Sequence, residues 1–375
     1  MTFNEYQPQI DLLEEQILEK RQEILTEKIS MSIGELTSMY ETQDLIIRPA
    51  FQRLFRWNNE QKTRLIESIL LRIPIPPIFV STTVEGRWEV IDGLQRVSTL
   101  LQIQGLLLNE QGEPAEALRL GGTTYLPLLE GITWNGPGHS FSDGQRRDIL
   151  RARIDLNIIS RGSDPKAKFD LFQRLNSLGS PLTSQEIRNA MLHSMNQDVA
   201  EWILELADWP SFDRFMTIND RQKQSAYSQE LVLRFLALHD RDPNELSSSG
   251  FLNTLLDNYA VRLCEMNPAM LSALENTFKT TFDYLSTGTG EKLLNIVREG
   301  VEVDRFSITS FEVLALGVGF WAAKGKLPAI SASELEQEFR HSGFEVSSSG
   351  KSAEQRMKKT IPFGRDLISE SIPSQ

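Results

Sequence analysis

Residues 75 to 108, "IPPIFVSTTVEGRWEVIDGLQRVSTLLQIQGLLL", put strand and helix into one short piece of chain. The runs "IFVSTT" and "RWEVI", separated by Val84-Glu85-Gly86, predict a β-hairpin. The second run meets Asp92-Gly93 and then an apolar helical run that begins near Gln95. A helix starting there presents free backbone N–H groups and the positive end of its dipole to the preceding turn. Gly93 has no side chain to block a phosphate, and Arg96 supplies a planar, permanently charged group. Asp92, at the strand's end, is a candidate metal ligand or water-orienting carboxylate. A plain polar turn, with Arg96 only pairing Asp92, accounts for the same residues, so the corner alone leaves both readings open.

The flanking segments predict elements of both kinds. Residues 8–30 carry apolar residues at helical spacing and predict a surface helix. Ser32 and Glu35 are spaced as a capping box, and "DLIIRPAF" is strand-like up to Pro49. "NNEQKTRLIESILLRI" predicts a helix capped by Asn58 or Asn59 and stopped by Pro74. Residues 109–145 predict an irregular excursion, and "RARIDLNIIS" alternates as a half-buried strand. "DPKAKFDLFQRLNS" and "TSQEIRNAML" predict two helices around a Gly-Ser-Pro turn, the second opened by Thr183 and Glu186. Beyond about residue 198 the pattern reads as helix throughout.

Charge narrows the function classes. A net charge of −12 argues against a general nucleic-acid coat. Arginines and lysines nevertheless gather between Arg48 and Arg72 and again from Arg146 to Lys168. One cysteine, Cys264, permits no internal disulfide and suits a reducing compartment. The acidic N-terminal segment lacks a signal pattern, and no apolar run is long enough to cross a bilayer, so the expectation is a cytoplasmic protein. The four histidines, His139, His193, His239 and His341, are scattered and show no metal-ligand spacing.

Two further joints resemble the Asp-Gly corner in carrying arginine beside polar residues. "PAFQRLFRW" sets Gln52, Arg53, Arg56 and Trp57 before a helix, where an aromatic can stack on a base. "FQRLNSLGSPLTSQEIRNAM" sets Arg174, Asn176, Glu186 and Arg188 around its turn. Taken in order with "LIESILLRIPIPPIF" and "VIDGLQRVSTLL", these segments closely resemble the DGQQR-motif family, the N-terminal domain of GmrSD-type restriction systems, across about residues 32–195.

That resemblance implies an α+β chain. A small mixed-sheet, ParB/sulfiredoxin-like domain over 32–195 would follow an N-terminal amphipathic helix over 1–31 and precede an α-helical domain over 196–375. It also implies an NTP-binding and NTP-hydrolysing subunit of an anti-phage or restriction-type defence system. Catalysis would fall to Asp92, Gln95 and Arg96, with Gln52, Arg53, Trp57, Gly93, Arg174 and Asn176 binding nucleotide and Asp92 as the candidate Mg²⁺ ligand. The implied partners are a nucleotide, DNA and a separate nuclease protein, since the histidines here do not make a His-Asn-His site. The family's first motif glutamine is Leu94 in this chain, a departure that favours, as alternatives, a non-catalytic nucleotide- or DNA-binding module; a ParB-like nuclease is the third reading.

Overall fold

A computed structural model describes residues 12–18, 25–47, 57–83, 85–109, 112–136, 138–163, 171, 183–216, 226–246, 251–288, 293–298, 301–344 and 353–373. The chain divides into two units, Met1–Pro181 and Leu182–Gln375. In chain order the first contains β1 (Thr26–Ser32), α1 (Ile33–Glu41), β2 (Leu45–Ile46), α2 (Asn59–Leu70), β3 (Ile78–Thr82), β4 (Trp88–Asp92), α3 (Leu94–Ile103), α4 (Asp143–Arg151) and β5 (Arg153–Ile159). The five strands form one sheet in the order β1-β5-β3-β4-β2. β1 with β5 and β3 with β4 are antiparallel, whereas β5 with β3 and β4 with β2 are parallel, so the sheet is mixed.

Local sequence starts three of these helices. Ser32 accepts from the Glu35 N–H, and Asn58 with Gln61 and Ser142 with Gln145 close reciprocal capping boxes on α2 and α4. The alternation of the strands then sorts the sheet's two faces. Ile78 and Val80 of β3, Val90 of β4 and Leu156 of β5 share one buried cluster with Ile66 of α2 and Val97 of α3. Burying each such side chain contributes about 1.5–3 kcal/mol, which fixes the helices to that face of the sheet. The other face carries Ile46, Phe79, Ser81, Glu89, Asn157 and Ile159, which take no part in that cluster.

The structure departs from the sequence reading at both ends. Residues 12–18 are helical, but 26–30, expected to continue that helix, belong to β1. "TEKISMS" also alternates, and pairing along the whole of β5 selects the strand. The excursion over 109–145 is irregular as expected, up to the start of α4, and it is tied down by side chains. Arg146 donates through Nη1 to the Trp134 carbonyl, the Asn135 side chain and the Phe141 carbonyl, each at 2.9 Å.

The second unit is mainly helical: α5 (Ser184–Met195), α6 (Gln197–Ala207), α7 (Pro210–Asp213), α8 (Tyr227–Leu238), α9 (Phe251–Glu265), α10 (Pro268–Ser286), α11 (Leu316–Ala322), α12 (Ala332–His341) and α13 (Ala353–Ser369). Phe212, Phe235, Phe278 and Phe282 pack ring against ring at its centre. A two-stranded hairpin, β6 (Asn295–Arg298) with β7 (Val301–Phe306), interrupts what the sequence presents as continuous helix. The region "NIVREGVEVDRF" does alternate, but over too few residues to outweigh its helical surroundings.

Arg188, one of the arginines at the third joint, is completely buried. Its Nε donates to Asp257 at 2.6 Å, Nη1 to Gln185 at 3.0 Å and Nη2 to Asn253 at 2.9 Å, which ties α5 to α9. Every nitrogen of this guanidinium is engaged inside the protein, so it faces no phosphate. Arg188→Ala should cost about 3–5 kcal/mol, because it removes a fully buried guanidinium and breaks its bonds to Asp257, Gln185 and Asn253. Chemical denaturation reads this directly, and a loss below about 1 kcal/mol would contradict the assignment.

Candidate functional site

A one-residue irregularity in the β3–β4 ladder shapes the corner. Glu89 pairs with Ser81 and Val90 with Val80, but the next pair is Asp92 with Phe79. Ile91 is therefore an extra residue on β4, a β-bulge. In an even strand Glu89 and Asp92, three positions apart, would point to opposite faces. The extra residue brings Asp92 to the side of Phe79, away from the helix-packed core.

The chain turns immediately afterwards. Gly93 sits at φ 92° as the N-cap of α3, a conformation that L side chains rarely adopt. A Cβ there would lie 3.0 Å from the Ile78 side chain and 3.2 Å from the Arg96 guanidinium. The space beside Gly93 is thus filled by protein, and the glycine is required by the turn and by its neighbours rather than to admit a phosphate. Gly93 has no side chain with which to cap the first turn of α3.

Arg96 lies one helical turn after Asp92 and is nine-tenths buried. Nη2 donates to Asp92 Oδ2 at 3.0 Å, and Nη1 donates to the carbonyls of Pro77, at 3.0 Å, and Pro76. Burial pulls its pKa below the usual arginine value, and the Asp92 carboxylate opposes that pull. The guanidinium therefore locks the "PIPP" loop and the Asp92 carboxylate to the helix. Asp92 itself is more than a third exposed, and among the described residues its Oδ1 accepts no hydrogen bond.

Gln95 is also engaged, since its Oε1 accepts from the Trp57 backbone N–H at 3.0 Å. Trp57 is half-buried and packs against the first unit's core. The structure accordingly brings Asp92, Gly93, Gln95, Arg96 and Trp57 together at the head of α3. Gln52, Arg53, Arg174 and Asn176 lie outside the described residues. Leu94 is half-buried and packs on the same core, which explains why an apolar residue fits there. Lys62 of the basic stretch donates to Gln102 at 2.9 Å, and burial lowers its pKa.

Residues elsewhere offer less chemistry. Burial pushes the Cys264 thiol up to about 12, so it stays protonated and unreactive. His239 is buried with Nδ1 against the Phe235 carbonyl, and its pKa is lowered by that burial. Among the described residues no three histidine, cysteine or acidic side chains gather as a metal site. No described helix is long and apolar enough to cross a membrane.

Residues 33–193 match the family model described as GmrSD restriction endonuclease, N-terminal domain. This stretch is a GmrSD-type N-terminal domain. The match runs from the first residue of α1 into α5 and includes the bulged strand, the Asp-Gly corner and α3, placing the corner in a restriction-system component. Comparison with curated proteins and with solved structures gives no match for the chain.

Gly93→Ala tests the corner. The left-handed backbone costs an L residue about 1–2 kcal/mol, and the added methyl must also displace Arg96 or Ile78. Unfolding measurements should show a loss of about 2–3 kcal/mol. A variant as stable as the parent would mean that the turn is not under this constraint.

Proposed function

We propose that this GmrSD-type domain binds a nucleoside triphosphate at the head of α3 and hydrolyses it, as the nucleotide-driven subunit of a restriction-type defence system. The observation that carries this reading is the Asp92 carboxylate. Arg96 fixes one of its oxygens, the other accepts no hydrogen bond among the described residues, and the carboxylate stands one residue before a helix whose N-cap is a glycine. Phosphate oxygens fit the leading N–H groups of α3, where the helix dipole favours negative charge. Asp92 Oδ1 then orients the attacking water or shares an Mg²⁺ ion.

A single protein carboxylate suits Mg²⁺, which is commonly held by one or two carboxylates together with substrate phosphates. Bound there, the ion would neutralise charge developing on the transferred phosphoryl group. Arg96 acts through Asp92 as a positioning residue, because both of its terminal nitrogens are spent on protein acceptors. Gln95 positions the Trp57 segment in the same way. Gln52, Arg53, Arg174 and Asn176 remain in the proposal as nucleotide contacts on the strength of the family motif. DNA and a separate nuclease are the proposed partners, since the four histidines of this chain are scattered. A cytoplasmic location goes with that role.

A second reading, a non-catalytic nucleotide- or DNA-binding module, is favoured by one observation. Leu94, at the family's glutamine position, packs on the core and offers no polar group to a water.

Phosphate release with each NTP and Mg²⁺ separates the two readings. Asp92→Asn keeps an acceptor for Arg96 and removes the charge, so turnover should fall by about 10²-fold or more. Folding should weaken by no more than about 1–3 kcal/mol. Full turnover in the folded variant would reject the catalytic role. Leu94→Gln should raise turnover modestly without tightening nucleotide binding, at a small cost in thermal stability from lost packing. A clear loss of turnover in a stably folded Leu94→Gln protein would show that the leucine serves the reaction.

A further inference from the structure

The five-stranded sheet ends on two unlike edges. β2 closes one side with two residues, whereas β1 runs for seven, and its Thr26, Glu27, Lys28 and Ser30 are exposed. The ladder with β5 shows which backbone groups point outward. Ser160 N–H donates to the Leu25 carbonyl and Ile33 N–H to the Ala152 carbonyl, so Thr26–Ile159 and Ser32–Arg153 are pairs of the non-hydrogen-bonded kind. Such pairs alternate along an antiparallel ladder, and Thr26, Lys28 and Ser30 therefore turn their N–H and C=O groups away from β5. Among the described residues no strand pairs with that edge. The Ser30 carbonyl takes one bond from the Arg153 guanidinium and keeps a second lone pair.

A row of free N–H and C=O groups on an edge is a template for another strand, and the sequence decides which strand fits. Paired antiparallel with itself, β1 engages over its whole length in one register, with the two-fold axis at its middle residue, Ile29. That register sets Ile29 against Ile29, Lys28 against Ser30, Glu27 against Met31 and Thr26 against Ser32 of the second copy. No like charges meet. Moving the axis to Lys28 or Glu27 would oppose two ammonium groups or two carboxylates, which is destabilising. Arg153 and Asp155 lie on the same side of the sheet as Ser30, so Lys28 of the second copy meets one charge of each sign beside it. Ile29 is half-buried against the first unit's core, and its counterpart extends that cover.

The residues leading into β1 add apolar surface. Of the twelve large apolar side chains exposed among the described residues, five (Leu12, Leu13, Ile17, Leu18 and Leu25) lie within residues 12–25, so this surface gathers beside the free edge. A helix as short as residues 12–18 is marginal in water on its own, and its exposed leucines favour a further contact.

We propose that β1 is a homodimerisation edge: two copies of this chain join β1 to β1 antiparallel and make one continuous sheet. A patch that is complementary to itself is what a two-fold dimer requires. The Asp92 corner stands on β4, separated from β1 by β5 and β3, so the joint leaves it open in each copy. The inference does not depend on the nucleotide reading.

Sedimentation velocity of the full chain over a concentration series tests this, with thermal melts in parallel. The wild type should form a dimer. Lys28→Pro removes an outward N–H and none of the bonds to β5, so the variant should sediment as a folded monomer. Should that variant fail to fold, two substitutions of exposed Ser30 decide the matter. Ser30→Lys faces Lys28 of the second copy and should raise the dimer Kd, while Ser30→Glu should lower it. Each change should be roughly two- to thirtyfold, because the pair occurs twice in a two-fold joint. A wild-type chain that stays monomeric throughout the series overturns the proposal. A dimer that ignores Lys28→Pro, or that responds alike to lysine and glutamate at position 30, also overturns it, in favour of another interface.

Discussion

The Arg96 guanidinium, turned inward at the head of α3, is the contact on which the candidate site depends. It joins three elements: the Pro76–Pro77 loop before β3, the end of β4 and the first turn of the helix. Only a planar group with several diverging N–H donors can reach two carbonyls and a carboxylate at once. Because the side chain is nine-tenths buried, its charge needs all three acceptors. Asp92 is oriented by the same contact that anchors the loop. Gly93 completes the arrangement, since any side chain at its φ of 92° would press on that guanidinium.

The β-bulge plays the complementary part. A sheet with one face packed on helices normally hides alternate residues, and Asp92 would follow its neighbours by parity. One extra residue in β4 moves the carboxylate to the opposite face, on the side of Phe79. The packed face stabilises the domain through its apolar cluster. In the second unit polar groups do the opposite work. Arg188, buried among Gln185, Asn253 and Asp257, spends its charge on joining two helices. Two arginines in similar polar joints of the sequence therefore do different work, Arg96 fixing an exposed carboxylate and Arg188 cross-linking helices.

Much of this architecture was legible in the sequence. The β3–β4 hairpin, the capped starts of α2 and α5, strand β5 and the Asp-Gly corner all follow from local chemistry: alternation, capping residues and a glycine at a turn. The order and spacing of the arginine-bearing joints pointed to the GmrSD-type domain that residues 33–193 match. Elements that depend on a distant partner were not legible. β1 carries a helical pattern and is a strand because β5 lies beside it, and the β6–β7 hairpin hides among helices for the same reason.

What the sequence determined by itself was which residues could meet a phosphate: a carboxylate, a glycine and an arginine within five positions fix a corner whatever surrounds it. What only the tertiary structure decided was which way each of them faces. Arg96 reads as a free cation in one dimension, but burial leaves its charge to be satisfied by protein acceptors, so it turns inward. Asp92 turns outward because strand register is a property of two chains, and a single residue gained on one of them reverses the parity of everything beyond it. A row from Asp92 through Phe79 to Asn157 likewise joins positions that are remote in sequence, and it exists only because three strands lie side by side.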